Sequence, residues 1–166
     1  VPYTVKDEHI VIDTREVANG ENRVTIEFTA NDQSLNRRDE FLYTLLVPDR
    51  ARTLFPCFDQ PDMKSLFTLS LEVPSSWQAV TNGAVEQVYS TSVARRKLIS
   101  FRETEPLSTY LFSFVAGKLT RETYSRDGRN ISIYHRETDP KKVAQCSDIA
   151  SEVFDALEWQ EEYTQI

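Results

Sequence analysis

The chain has 166 residues and a mass of 19.2 kDa. Its formal charge of −7 argues against nucleic acid as a main partner, because phosphate binding requires a basic face. Hydrophobic residues at 40% and aromatics at 11% are globular rather than disordered composition, and no apolar run approaches the ~20 residues of a membrane-spanning helix.

In chain order, most segments read as β. The chain opens at Val1, not Met, inside what reads as a strand, as a piece cut from a longer protein would, and His9–Asp13 is a candidate strand. In Arg23–Phe28, Val24, Ile26 and Phe28 share one face, and Phe41–Leu46 is the next candidate. Leu66–Val73 alternates strictly: Phe67, Leu69, Leu71 and Val73 point one way, and Thr68, Ser70 and Glu72 the other. Trp77–Thr81 follows, and Asn82-Gly83 turns it into the next strand. The one basic cluster, Arg95-Arg96-Lys97, opens the strand Lys97–Arg102 and reads as a solvated loop end. Thr109–Ala116 is continuously apolar, as in a strand covered on both faces. Asp127-Gly128 signals a tight turn into Arg129–His135. Strands and turns recurring about every ten residues predict an all-β fold, an antiparallel sandwich or saddle-like sheet.

The period then changes. Cys146, Ile149, Ala150, Val153, Phe154 and Leu157 fall on one helical stripe, and Asp139-Pro140 is a helix start. A helix from Pro140 to Tyr163 is predicted. Val143–Ile166 holds six acids (Asp148, Glu152, Asp155, Glu158, Glu161, Glu162) and no Lys or Arg, whereas the preceding 142 residues are nearly neutral. Either this is a solvated acidic face, or the rest of the protein covers the helix and supplies counter-charges.

Chemical motifs are scarce. The two histidines, His9 and His135, lie in strand-like stretches; HExxH, GxSxG, GxGxxG and GxxxxGK[ST] are all absent. Cys57 and Cys146 have no metal-ligand spacing; two buried thiols are preferred over a disulfide between them. The residues alone therefore yield no catalytic site and no metal ligands.

The informative segment is Ala51-Arg-Thr-Leu-Phe-Pro-Cys-Phe-Asp-Gln-Pro-Asp-Met-Lys64. Asp59 and Asp62 around Pro61 suit a turn built on side chain-to-backbone bonds, and Arg52 and Lys64 bracket these carboxylates as candidate ion partners. Arg52, Phe55, Pro56, Cys57, Asp59, Pro61 and Lys64 resemble the RxxFPCFDEPxxK signature in the N-terminal domain of the aminopeptidase N family of zinc metallopeptidases, which includes leukotriene hydrolase; Gln60 stands where many members carry Glu. Glu105-Pro-Leu-Ser-Thr-Tyr-Leu-Phe-Ser-Phe-Val-Ala-Gly117 is similar to a second family block, P-M-S-T-Y-L-x-A-F-x-x-G, in register with the first, with Pro74, Ala79 and Asn82 between them.

The resemblance implies a saddle-shaped β-domain over residues 1–138, its first strands preceding Val1. Residues 139–166 would be the helix leading into a thermolysin-like catalytic domain. The family's GxMEN loop, which binds the peptide N-terminus, and its zinc-binding HExxH belong downstream of the matched region. This stretch is then expected to hold no zinc and cut no peptide, with zinc and peptide substrate belonging to the parent. The family's Glu or Gln that reaches from this domain to hold the substrate ammonium falls on Val47, which has no acceptor atom. On residues alone Val47 is a core residue at a strand end. Three functions are weighed: the domain of an active zinc aminopeptidase, capping its cleft; the domain of an inactive homologue kept as a scaffold; or an independent β-sandwich binding module.

Overall fold

The computed structural model describes residues 1–166. It contains eleven strands: β1 Tyr3–Lys6, β2 His9–Ile12, β3 Leu35–Arg37, β4 Phe41–Thr44, β5 Ser70–Pro74, β6 Gln78–Thr81, β7 Val85–Ser90, β8 Arg96–Phe101, β9 Phe114–Gly117, β10 Thr120–Arg126 and β11 Arg129–His135. All ladders are antiparallel. One sheet has the order β3-β4-β9-β6 and another β5-β8-β7, while β1-β2 and β10-β11 are separate hairpins. A helical turn, α1 Pro140–Val143, leads into the long helix α2 Cys146–Thr164.

Two apolar clusters form the core, the second of them between the two larger sheets. Leu35, Leu46, Ala51, Leu54 and Phe112 form one; Val73, Ala79, Ile99, Phe101 and Ala116 form the other. Leu42 and Leu69 pack against both, which joins the sheets into a sandwich. The expected all-β architecture with one C-terminal helix is what the chain adopts. Asp139 caps the helix as predicted, accepting the Lys141 N–H at 2.9 Å, with Pro140 in the first turn. The Asp127-Gly128 turn has both residues at positive φ, 50° and 80°, as a tight hairpin requires.

Three expectations are corrected. Arg23–Phe28 forms no strand: its alternating Val24, Ile26 and Phe28 stay exposed and no neighbouring strand supplies ladder bonds. Thr109–Ala116 is not one continuous strand, because Thr109–Leu111 turns as a 3-10 helix before β9 begins. Leu66–Val73 is regular only from Ser70; the earlier residues pair loosely with the chain after β8, through bonds such as Thr104 N–H to Phe67 C=O at 3.0 Å. Cys146 is buried and Cys57 half-buried, both as free thiols.

The helix buries Cys146, Ala150 and Phe154 against β10 and β11. Counter-charges come from that hairpin: Arg126 contacts Asp155 at 2.7 Å and Glu158 at 3.2 Å, and Arg129 grips Glu161 with two 2.8 Å bonds. Asp148, Glu152 and Glu162 remain solvated, so the helix has one paired acidic edge and one free one. Ile149, Val153 and Leu157 of the predicted stripe stay exposed, beside a stacked Trp159–Tyr163 pair 5.3 Å apart. The chain presents 12,627 Å² of surface, where a compact monomer of this mass shows about 8,400 Å².

Candidate functional site

The 51–64 segment starts with a 3-10 turn, Ala51–Thr53, that sinks Ala51 and Leu54 into the first apolar cluster. Phe55 then meets Phe112 edge-on at 5.8 Å and Phe67 at 6.2 Å, and Phe67 stacks on Phe112 at 4.4 Å. Offset stacking and edge contacts of this kind stabilise by about 0.5–1.5 kcal/mol per pair beyond area burial. The rings fix where the following Pro-rich loop begins.

Asp59 closes that loop. Its Oδ2 accepts the backbone N–H of Arg52 at 3.1 Å, and its Oδ1 accepts the Thr109 hydroxyl at 2.6 Å. Two residues on, the Pro61 carbonyl accepts the Ser108 hydroxyl at 2.5 Å. Ser65 and Leu107 exchange backbone bonds at 3.0 and 3.1 Å. Asn82 extends the same seam, donating to Leu111 C=O at 3.1 Å and accepting from Ser113 N–H at 2.8 Å. The two sequence blocks, some fifty residues apart, are thus one clasp. Ser108 and Thr109 are both buried, and their hydroxyls have partners, as burial demands.

The expected charge pairing is corrected. The Arg52 guanidinium does not meet Asp59 or Asp62; it bonds the Asp49 carboxylate at 3.1 Å, the Asp49 carbonyl, and Glu8 at 3.3 Å. Only its backbone N–H serves Asp59, because the 3-10 turn aims that donor into the loop and sends the side chain outward. Asp49, and then Glu8, hold the guanidinium above its usual range. Lys64 is exposed and pairs with neither aspartate. Residues 49, 50, 52 and 53, with Gln33 and Ser34, line a wholly polar recess of about 360 Å³. Val47 corrects the core reading: it lies beyond the end of β4 and is half exposed.

Burial, then the nearby Asp59 charge, push the Cys57 thiol up to about 11. It is a neutral thiol at pH 7. Nowhere do three His, Cys, Asp or Glu side chains come together to hold a metal ion. His9 stands at a hairpin tip and His135 at the foot of the β10-β11 hairpin, apart from the clasp. The site binds the fold together, and no base–nucleophile pair accompanies it. Sequence reading missed the clasp roles of Ser108 and Thr109; the available signal was two adjacent hydroxyls opening an otherwise apolar run.

In this antiparallel β-sandwich the Arg–Phe-Pro-Cys–Asp loop is clasped to a Ser-Thr-Tyr segment. Residues 3–111 match the model of the Peptidase M1 N-terminal domain, and the chain belongs to that family. It is 38% identical over 96 residues to a probable M1 family aminopeptidase 2 of Encephalitozoon cuniculi, covering 57% of this chain and 11% of that protein. It is 31% identical over 112 residues to glutamyl aminopeptidase of Rattus norvegicus, covering 67% and 12%. A puromycin-sensitive aminopeptidase of Caenorhabditis elegans is 26% identical over 168 residues, covering 100% and 17%. The chain therefore spans under a fifth of the length of these relatives. None of its helices is long and apolar enough to cross a membrane.

Proposed function

We propose that the chain serves as the non-catalytic N-terminal domain of a zinc-dependent aminopeptidase that removes N-terminal residues from peptides. Residues 1–138 form the β-domain that caps one side of the active-site cleft, and residues 139–166 are the helix that links it to the catalytic domain. The observation that carries this reading is the family match over residues 3–111, which contains the Arg52–Asp59 half of the clasp and runs into its Ser108–Thr109 half. The excess surface and the uncovered apolar residues Ile149, Val153, Leu157, Trp159 and Tyr163 support a further domain packing on this one. Zinc enters through residues outside this chain, since none of its own side chains form a donor set.

A second reading, a domain of an inactive scaffold homologue, is favoured by one observation. By the resemblance Val47 falls at the family's ammonium-anchoring position and offers no acceptor, and the neighbouring Asp49 carboxylate is tied to Arg52. Zinc analysis of the full-length parent, with hydrolysis of an aminoacyl dye, separates the two. Stoichiometric zinc and turnover support the first reading; a metal-free, inert parent establishes the second. The 166-residue chain alone should release no dye.

A further inference from the structure

The helix and its hairpin form a unit with its own cohesion. Cys146, Ala150 and Phe154 are buried there, Arg126 lies over the Phe154 ring at 4.8 Å, and the Arg126 and Arg129 ion pairs cross from strand to helix. Neither apolar cluster of the sandwich includes a residue from β10, β11 or α2. The two bodies share no core.

They join at the feet of the hairpin. Thr120↔His135 is the last pair of its ladder, so Lys118, on the single connection from the sandwich, and Arg136, on the segment leading to the helix, flank the foot of the hairpin. One carboxylate holds both: Glu40 Oε1 lies 2.5 Å from Lys118 Nζ, and Oε2 lies 3.6 Å from the Arg136 guanidinium. The Lys118 N–H also donates to Glu40 C=O at 2.9 Å. The Arg136 guanidinium sits over the ring of the next residue, Phe41, at 4.2 Å. Gly117 lies flat against Phe41; an added Cβ would come within 2.6 Å of the Phe41 Cβ. The hydrogen bond from Lys118, its positive charge and Arg136 hold the Glu40 carboxyl below its usual range, so the contact is charged at neutral pH.

We propose that Glu40 and Phe41 are a latch that sets the angle between the sandwich and a hairpin–helix arm (β10, β11 and α2), and that the arm swings as one body about residues 117–119 when the latch opens. Exposed ion pairs stabilise only weakly and are screened by salt, so the latch closes the arm without locking it. The inference is independent of the peptidase reading, since it concerns only these two bodies.

Residual dipolar couplings of the weakly aligned 166-residue chain test it. At low salt, amides of the β3-β4-β9-β6 sheet and of α2 should fit one alignment tensor. In Glu40→Gln, and separately in Phe41→Leu, the α2 couplings should shrink to about half their former size relative to the sheet, with chemical shifts inside each body unchanged. The unmutated chain should change likewise at about 1 M salt, where the screening length is about 3 Å; this arm needs no variant to fold. A single shared tensor under all these conditions overturns the proposal. So do separate tensors in the unmutated chain at low salt, because the arm would then never have been latched.

Discussion

The clasp and the arm use opposite chemistries to join distant parts of the chain. The clasp sets neutral hydroxyls and one half-buried carboxylate on top of packed phenylalanines. The arm joins helix to hairpin largely with arginine–carboxylate pairs at the water's edge, over three buried side chains. Buried hydrogen bonds lose their full value when a partner goes, and aromatic packing leaves a cavity. Exposed pairs lose little and are screened. The first region should therefore respond to side-chain deletion and the second to ionic strength.

The largest effect is expected for Phe112→Ala, which removes the ring that Phe55 and Phe67 both pack on; large core truncations of this kind cost about 3–5 kcal/mol. Urea denaturation should show a midpoint far below that of the unmutated chain, with little dependence on salt. Thr109→Val comes next. It withdraws the 2.6 Å donor from Asp59 and should cost about 1–3 kcal/mol by the same measurement. Arg126→Met is smaller, about 1 kcal/mol, because it removes half-exposed pairs and a cation–π contact. Hydrogen exchange should quicken along α2 while β8 and β9 amides hold, and the gap between variant and parent should narrow at high salt. If Thr109→Val proves as salt-sensitive as Arg126→Met, the contrast between the regions fails.

The effect with the narrowest reach is a pH dependence in the clasp, confined to the alkaline range. Cys57 is held as a thiol in the folded state, with its pKa raised to about 11. In the unfolded chain it ionises near the usual ~8.5. Between those values the unfolded state binds fewer protons, so stability falls as pH rises through that window and is unaffected below it. Cys57→Ala should flatten the alkaline limb of a stability–pH curve, and alkylation of the folded chain at Cys57 should stay slow until pH nears 11.

Where a local signal carries its own answer, the sequence was legible. Asp127-Gly128 with an alternating run behind it is β11 as read, and Asp139-Pro140 starts the helix. Arg23–Phe28 shows the limit of periodicity: alternation says which side chains share a face, but a strand also needs a partner to bond. Thr109–Leu111 shows another. Its apolar run looks like a strand, yet the Ser108 and Thr109 hydroxyls are drawn to Pro61 and Asp59 and the backbone turns. Arg52 was identifiable as a signature residue and its chemistry was not, because proximity in sequence to Asp59 does not reveal that the backbone N–H, and not the guanidinium, faces the carboxylate. The signature residues are legible by resemblance, whereas their bonding depends on the folded geometry.

The chain has two tryptophans, and the fold gives one to each body. Trp77 is half-buried against the Val73–Phe101 cluster of the sandwich, and Trp159 is 63% exposed on α2, stacked on Tyr163. Their emission is therefore spectrally separable, Trp77 bluer and easily shifted by melting, Trp159 already red and open to a soluble quencher. Unmodified protein carries its own two-colour label: loss of the sandwich moves the blue component, and anything that settles on the helix shields the red one.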